Sequence, residues 1–228
     1  MRWKAIGKIS LALNLFIILF LIGKRLYFSN RQETPSQSAE FLNTMRNDAF
    51  ADLPIDSSDI VLVGTSMTEG LFLNEMLNDG HILNRGIGGN TSRMMAARIS
   101  KIAEGHPRTI FLEMGICDLF FHISLDTFAR YFDQTIQNIR TTSPGTRIIV
   151  QSILPVGDAY ADLRPQLERF NDFMKAACIR QHLTYIDLFT TFQENGRLNP
   201  EYDMDGIHLN GRGYARWAEQ LIQKLGAN

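Results

Sequence analysis

The chain is short of the residues that would mark a metal enzyme, a disulfide scaffold or a nucleic-acid binder. Its 228 residues hold two cysteines, Cys117 and Cys178, with neither a disulfide framework nor a CxxC metal pair between them, so both are expected as free thiols. The five histidines, His81, His106, His122, His182 and His208, show no HExxH or comparable ligand spacing, and no metal is expected. Formal charge is nearly balanced at −1. No long basic stripe or interleaved basic and aromatic cluster occurs outside the N-terminus, which argues against nucleic acid as a partner. No internal repeat or low-complexity tract is visible. What is present, 45% apolar residues, is enough for one good-sized core, and nothing suggests a second.

The one long apolar run is N-terminal. Ile9 to Ile22, followed by Gly23, lies between Lys8 and Lys24-Arg25. Its uncharged length of about 15 residues is short against the roughly 20 needed to cross a bilayer, although snorkelling lysines, with Trp3 and Tyr27 at the interfaces, lengthen the effective span. A cleaved signal peptide is the rival. The first small-x-small site, Ser36-Gln-Ser38, lies far downstream and no lipobox cysteine is present, so residues 1–28 are expected to be an uncleaved anchor, with a signal segment as the alternative. Arg2, Lys4 and Lys8 nearly balance Lys24, Arg25 and Arg31 across the run. A short N-terminal tail usually stays inside, which places the rest of the protein outside the cytoplasm, in a periplasm or at the cell surface. Residues 29–58 read as a tether, rich in Ser, Gln, Asn and Pro, followed by a short helix over Ala39–Ala51 that Leu53-Pro54 stops.

From Ile60 onward, short apolar runs alternate with longer amphipathic segments, the pattern of βα units around a parallel sheet. Strands are expected near Ile60–Gly64, Ile82–Gly86, Thr109–Met114, Arg147–Leu154 and Thr184–Leu188. Helices are expected near Met67–Asn78, Thr91–Glu104, Leu125–Thr141, Leu163–Gln181 and Gly211–Leu225. Pro144-Gly145 marks the turn into the fourth strand. In such open sheets ligands bind beyond the carboxyl ends of the strands. Ser66, Gly89 and Asp118 each follow such an end, so the topology gathers them on one rim.

The chemistry is carried by Ser66 and by Asp205-Gly-Ile-His208, about 140 residues downstream. Ser66 ends Ile60-Val-Leu-Val-Gly-Thr-Ser66, an apolar strand running into a turn. A neutral serine is a poor nucleophile; it needs a histidine to take its proton, and that histidine needs a carboxylate to fix its tautomer. An Asp three residues before a His supplies both from one turn. Each half alone has a plainer reading: Ser66 as an N-cap, and Asp-x-x-His as a solvated turn. Two further segments lie between them, Asn84-Arg-Gly-Ile-Gly-Gly89-Asn90-Thr-Ser and Ile110-Phe-Leu-Glu-Met-Gly115-Ile-Cys-Asp118.

In these blocks the sequence resembles the SGNH, or GDSL, hydrolases, from roughly Asp59 to the C-terminus. In the glycine block, Asn84-Arg-Gly-Ile-Gly-Gly89, it resembles their bacterial lysophospholipase/thioesterase and platelet-activating-factor-acetylhydrolase-like branches. The resemblance implies a catalytic domain over residues 59–228 with a three-layer α/β/α sandwich and a five-stranded parallel sheet, the flavodoxin-like arrangement. It implies Ser66 as nucleophile, His208 as general base and Asp205 as its orienting partner, with the backbone amides of Gly89 and Ser66 facing the oxyanion. Two positions depart from the pattern. Thr65 stands where the family has Asp. In Gly115-Ile-Cys117-Asp118, cysteine replaces the asparagine whose amide completes the oxyanion hole. A thiol is a weak donor, and losing one such donor typically costs about 10²–10³ in kcat. Asn90 is a candidate replacement donor. Cys117 as a nucleophile is disfavoured by its neighbour Asp118, which opposes thiolate formation. Phe120-Phe121-His122 reads either as the wall of an acyl or sugar pocket or as core. Glu69, Arg85, Arg93 and Asp203 lie near the rim with no role assigned.

The expected function is hydrolysis of short acyl esters, acetyl above all, with acetylated glycans as candidate substrates given an envelope location, and with no cofactor. Short connections leave little room for a lid over a long lipid chain. An O-acyltransferase that passes the acyl group to a sugar hydroxyl and a catalytically weak glycan-binding relative are the alternatives.

Overall fold

The computed structural model describes residues 37–226. The expected anchor and the first part of the tether lie outside the described residues. Among the described residues no helix is long and apolar enough to cross a membrane.

Five parallel strands form the sheet: β1 (Ile60–Gly64), β2 (Ile82–Gly86), β3 (Thr109–Leu112), β4 (Arg147–Gln151) and β5 (Thr184–Ile186). Their order is β2-β1-β3-β4-β5, the doubly wound order in which the chain reverses direction beside β1. Strand alternation sorts the core into two faces. Val61, Val63, Ile110, Leu112, Ile148 and Val150 point to one side and pack against α4 (Ser92–Ala103), α6 (Leu125–Thr142) and α7 (Arg164–Arg180). Ile60, Leu62, Phe111 and Ile149 point to the other and pack against α8 (Leu188–Phe192) and α9 (Gly211–Gly226), where Trp217 is fully buried. Its indole N–H donates to Gln151 Oε1 at 2.7 Å, which satisfies both buried groups.

Three strands stop earlier than their apolar runs. Thr109–Met114 ends at Leu112, Arg147–Leu154 at Gln151 and Thr184–Leu188 at Ile186. Met114, Ile153 and Leu154 are buried all the same, so burial without ladder pairing accounts for the overshoot. The expected helix Met67–Asn78 is two short ones, α2 (Ser66–Glu69) and α3 (Leu73–Leu77). The break lies at Gly70, where a Cβ would come within 2.4 Å of the Tyr214 hydroxyl, and Leu71 and Leu73 turn into the core beside it. The helix expected from Leu163 starts at Arg164 after a 3₁₀ segment, Asp158–Leu163. A further short helix, α5 (Ile116–Phe120), follows β3, and a small hairpin pairs β6 (Gln193–Glu194) with β7 (Arg197–Leu198). Asn195 and Gly196 join them, both at positive φ, as a two-residue hairpin turn requires.

The first helix, α1 (Gln37–Ala51), belongs to the same compact unit as the sheet. Asn43 on it is 4% exposed, and its amide donates to the Gly88 carbonyl at 3.1 Å. All the loops that follow β1, β2 and β3 leave at the carboxyl edge of the sheet, and Ser66, Gly89 and Cys117 are set there together.

Candidate active site

β1 delivers Ser66 through a tight turn. Gly64 is required there, because a Cβ would lie 2.0 Å from the Thr68 hydroxyl and 2.5 Å from Glu113 Oε2. Thr65, in extended conformation, is the N-cap of α2, its hydroxyl accepting from the Met67 N–H. The cap is therefore Thr65 and not Ser66, which leaves the Ser66 hydroxyl for another partner. That partner is His208: Ser66 Oγ lies 2.9 Å from His208 Nε2, and His208 Nδ1 lies 2.8 Å from Asp205 Oδ2.

The Asp205–His208 turn is built to hold this geometry. Asp205 Oδ1 accepts the amides of Ile207 and His208, at 3.0 and 2.7 Å. Asp203 Oδ1 accepts the Gly206 N–H at 2.6 Å, and Gly206 takes a φ of +89°, readily available to glycine. Burial raises the Asp205 carboxyl, but the His208 amide and ring and the Ile207 amide outweigh it and hold the group below the usual carboxylate range. A charged Asp205 keeps the proton of a neutral imidazole on Nδ1 and turns the Nε2 lone pair toward the hydroxyl, the arrangement general-base activation needs.

Behind the serine lies a carboxyl to which the sequence reading assigns no role. Glu113 is 2% exposed. It accepts from the Thr65 N–H at 2.8 Å and from the Thr65 and Thr68 hydroxyls at 2.9 and 3.1 Å. Burial pushes its pKa up against these bonds. The signal for it was a single charged residue at the end of the apolar run Ile110-Phe-Leu. Arg98, also buried, donates to Gly64 O and to Asn90 Oδ1, and burial lowers its pKa to about 9.

The loop after β2 brings Gly89 to the same edge. Gly86 permits its approach, since a Cβ there would lie 2.3 Å from the Glu69 amide nitrogen. The Gly89 backbone acts on Cys117, where it favours the thiolate, but it is outweighed. Cys117 is buried, and desolvation, with the Glu113 and Asp118 charges, pushes its pKa far up, so it is a neutral thiol and no nucleophile. Asp118 is held by Ser92, whose amide donates to it at 2.9 Å; burial raises its pKa to about 6.

Asn90 does not have the freedom expected of a replacement oxyanion donor. Its amide nitrogen donates to Asn43 Oδ1 and its oxygen accepts from Arg98 at 2.8 Å, with the residue fully buried. Glu69 accepts the Gly88 N–H at 2.7 Å and pairs with Arg46 of α1. Arg85 stacks its guanidinium over Phe50 at 5.0 Å. Phe120 is half-buried and meets Tyr160 edge-on at 5.5 Å. Tyr160 in turn lies against Gly206, so this aromatic pair walls the Asp205–His208 turn. His122 is exposed and Arg93 lies on the surface.

Among the described residues one group has ligand atoms near enough to share a cation: Asp56, Asp59 and His81, within 4.8 Å of one another. It precedes β1, at the opposite end of the strand from Ser66. The five residues of β1 separate the two by roughly 16 Å at about 3.3 Å per residue. Asp59 is occupied there by the Asp56 amide and His81.

The sequence profile of the GDSL-like lipase/acylhydrolase family matches residues 64–216, a span that contains the Ser66, Gly89, Cys117 and Asp205–His208 segments. Platelet-activating factor acetylhydrolase IB subunit alpha2 of Rattus norvegicus is 27% identical over 175 residues, covering 73% of this chain and 76% of its own. A GDSL-like lipase from Bacteroides thetaiotaomicron superposes with a TM-score of 0.71 at 20% identity, over 80% of this chain and 96% of that one. An acetyl xylan esterase variant from Geobacillus stearothermophilus superposes with a TM-score of 0.62 at 16% identity, over 76% and 97%. These two likenesses carry the fold. The family match carries more: this chain belongs to the GDSL-like lipase/acylhydrolase family and is an esterase-type hydrolase.

Proposed function

We propose that the protein hydrolyses short acyl esters, acetyl in the first place, with Ser66 as nucleophile, His208 as general base and Asp205 as the carboxylate that orients it. The observation that carries this reading is the continuous hydrogen-bond chain from Ser66 Oγ through His208 to Asp205, 2.9 and 2.8 Å long. Ser66 attacks the acyl carbon while His208 Nε2 takes its proton. The tetrahedral oxyanion is received by the Gly89 and Ser66 backbone amides. His208 then protonates the leaving alcohol, and a water activated by the same imidazole releases the acyl group.

Acyl length is argued from space. Beside the site, Met67, Ile116, Ile153, Val156 and Ile207, together with the buried Glu113 carboxyl, line a mostly apolar pocket of about 10 Å³, room for about one water. A methyl fits such a wall; a long chain needs it to open. The names of the relatives, acetylhydrolase and acetyl xylan esterase, support acetyl and, for the second, an acetylated glycan. The basic-flanked apolar run Ile9–Ile22 supports membrane attachment with the site outside the cytoplasm.

The test is a 4-nitrophenyl ester series from acetyl to octanoyl, together with acetate release from acetylated xylo-oligosaccharides. Acetyl should lead in kcat/KM, with both activities absent in Ser66→Ala. Preference for octanoyl would overturn the acyl assignment, and undiminished turnover by Ser66→Ala would overturn the nucleophile.

A further inference from the structure

The peptide unit that carries the Gly89 N–H is held from outside the sheet. In a trans peptide the carbonyl of one residue and the amide of the next are opposite ends of one rigid plane, so Gly88 C=O and Gly89 N–H turn together. Asn43, on α1, donates to that carbonyl at 3.1 Å. The direction of the Asn43 amide is set by its own partner, because its oxygen accepts from Asn90, which is pinned in turn by Arg98. The other end of Gly88 is held as well: its N–H donates to Glu69 Oε2 at 2.7 Å, and Glu69 pairs with Arg46 of the same helix. Gly89 takes a φ of +76°, a region glycine enters and leaves freely. Its orientation must therefore be supplied by contacts.

We propose that Asn43 is a positioning residue for the oxyanion hole. By fixing the Gly88 carbonyl it aims the Gly89 N–H, and by polarising the same peptide unit it strengthens that N–H as a donor. Asn43 touches no reacting atom. Its value is preorganisation, since a donor already aimed at the developing charge needs no reorientation during reaction. The residue lies outside the family-matched span 64–216, so this support is added by the helix preceding it. The inference rests on the Ser66 esterase reading.

The experiment uses the full chain with Asn43→Asp, which keeps side-chain volume and the bond from Asn90 but puts an acceptor against the Gly88 carbonyl. Asn43→Ser, too short to reach it, serves where a buried charge prevents folding. On 4-nitrophenyl acetate, kcat should fall by about 10- to 10²-fold, less than the roughly 10²–10³ for deleting an oxyanion donor outright because the Gly89 N–H is misaimed rather than removed, while KM changes little. Inhibition by a boronic acid, whose serine adduct mimics the tetrahedral oxyanion, should weaken by the same factor as kcat/KM. Melting temperature reads the fold separately. A folded variant with wild-type kcat, or one that loses kcat without matching loss of boronate affinity, overturns the inference. Ser66→Ala is measured alongside: if it is inactive while Asn43→Asp is fully active, only the role of Asn43 fails, and if it turns over normally the esterase reading itself fails.

Discussion

The Glu113 carboxyl accepts from the Thr65 N–H at 2.8 Å and from the Thr65 hydroxyl at 2.9 Å, tying the end of β3 to the residue just before Ser66. Thr65 occupies the place of an aspartate in the family pattern, so a carboxyl absent from the turn itself arrives from the neighbouring strand. Removing it strands three donors in a buried site. Glu113→Ala should therefore destabilise the fold by about 2–5 kcal/mol, from unsatisfied groups and a cavity together, and lower kcat as the serine turn loosens. Glu113→Gln keeps an acceptor oxygen at the same place and should cost less than about 1.5 kcal/mol. Urea denaturation of both variants checks this; equal losses in the two would show that charge, rather than acceptor geometry, holds the turn.

The buried acids also give the fold a signed pH dependence. Asp118 has its pKa raised from 3.8 to about 6 by burial. A folded-state pKa above the unfolded one means stability is fully present below pH 3.8 and lost as pH rises through about 6. The loss is up to about 3 kcal/mol at 1.36 kcal/mol per unit. Glu113 is shifted in the same direction, also by burial. Asp118→Asn, whose oxygen still accepts the Ser92 amide, should flatten the stability profile between about pH 4 and pH 6. Chemical denaturation at several pH values reads the slope, and an unchanged slope in the variant would remove Asp118 as its source.

The strand positions, the rim and the Ser66, Asp205 and His208 set were open to reading because each depends on short-range pattern: apolar runs for the strands, and one turn for Asp205–His208. The Asn195-Gly196 hairpin carried an equally local signal. What could not be read depends on which side chains meet across the fold. Glu113 looks like one polar residue in an apolar run until Thr65 and Thr68 are placed above it. Asn90 looks like a loop amide free to face the substrate until Asn43 and Arg98 claim both of its ends. The break at Gly70 is set by the Tyr214 ring, 144 residues away, and no window along the chain contains it. It also leaves only one turn of helix behind Ser66, weakening the helix-dipole support for an oxyanion there.

For the triad, Ser66→Ala and His208→Ala should each reduce turnover of 4-nitrophenyl acetate to background. Asp205→Asn should cost about 10⁴ in kcat, the loss typical when the orienting carboxylate becomes an amide and the imidazole tautomer is wrong. A fluorophosphonate probe should label the wild type at Ser66. Labelling at any other serine would move the nucleophile.

For attachment, the full chain should sediment with membranes and resist high-salt extraction. A chain beginning at Ser36 keeps α1, with Asn43 and Arg46, and should be soluble and as active as the full chain. Native protein recovered without its first roughly 30 residues would identify that stretch as a cleaved signal.

Cys117 gives the sharpest test of the oxyanion hole. As a buried neutral thiol it offers a weak donor at most. Cys117→Asn places an amide at this position. If the Nδ2 group reaches the oxyanion in good geometry, kcat should rise by up to about 10²-fold, the reverse of deleting such a donor. KM should change little, because a donor aimed at developing charge stabilises the transition state more than the neutral carbonyl. Asn90→Ala should act differently: both polar ends of Asn90 are engaged within the protein, so its removal should lower stability and, through Asn43, disturb the Gly88–Gly89 peptide. A fall in kcat for folded Cys117→Asn would mean that the site is adapted to the thiol. An unchanged kcat would leave the two backbone amides as the whole hole, with their orientation, and therefore Asn43, carrying more of the catalysis.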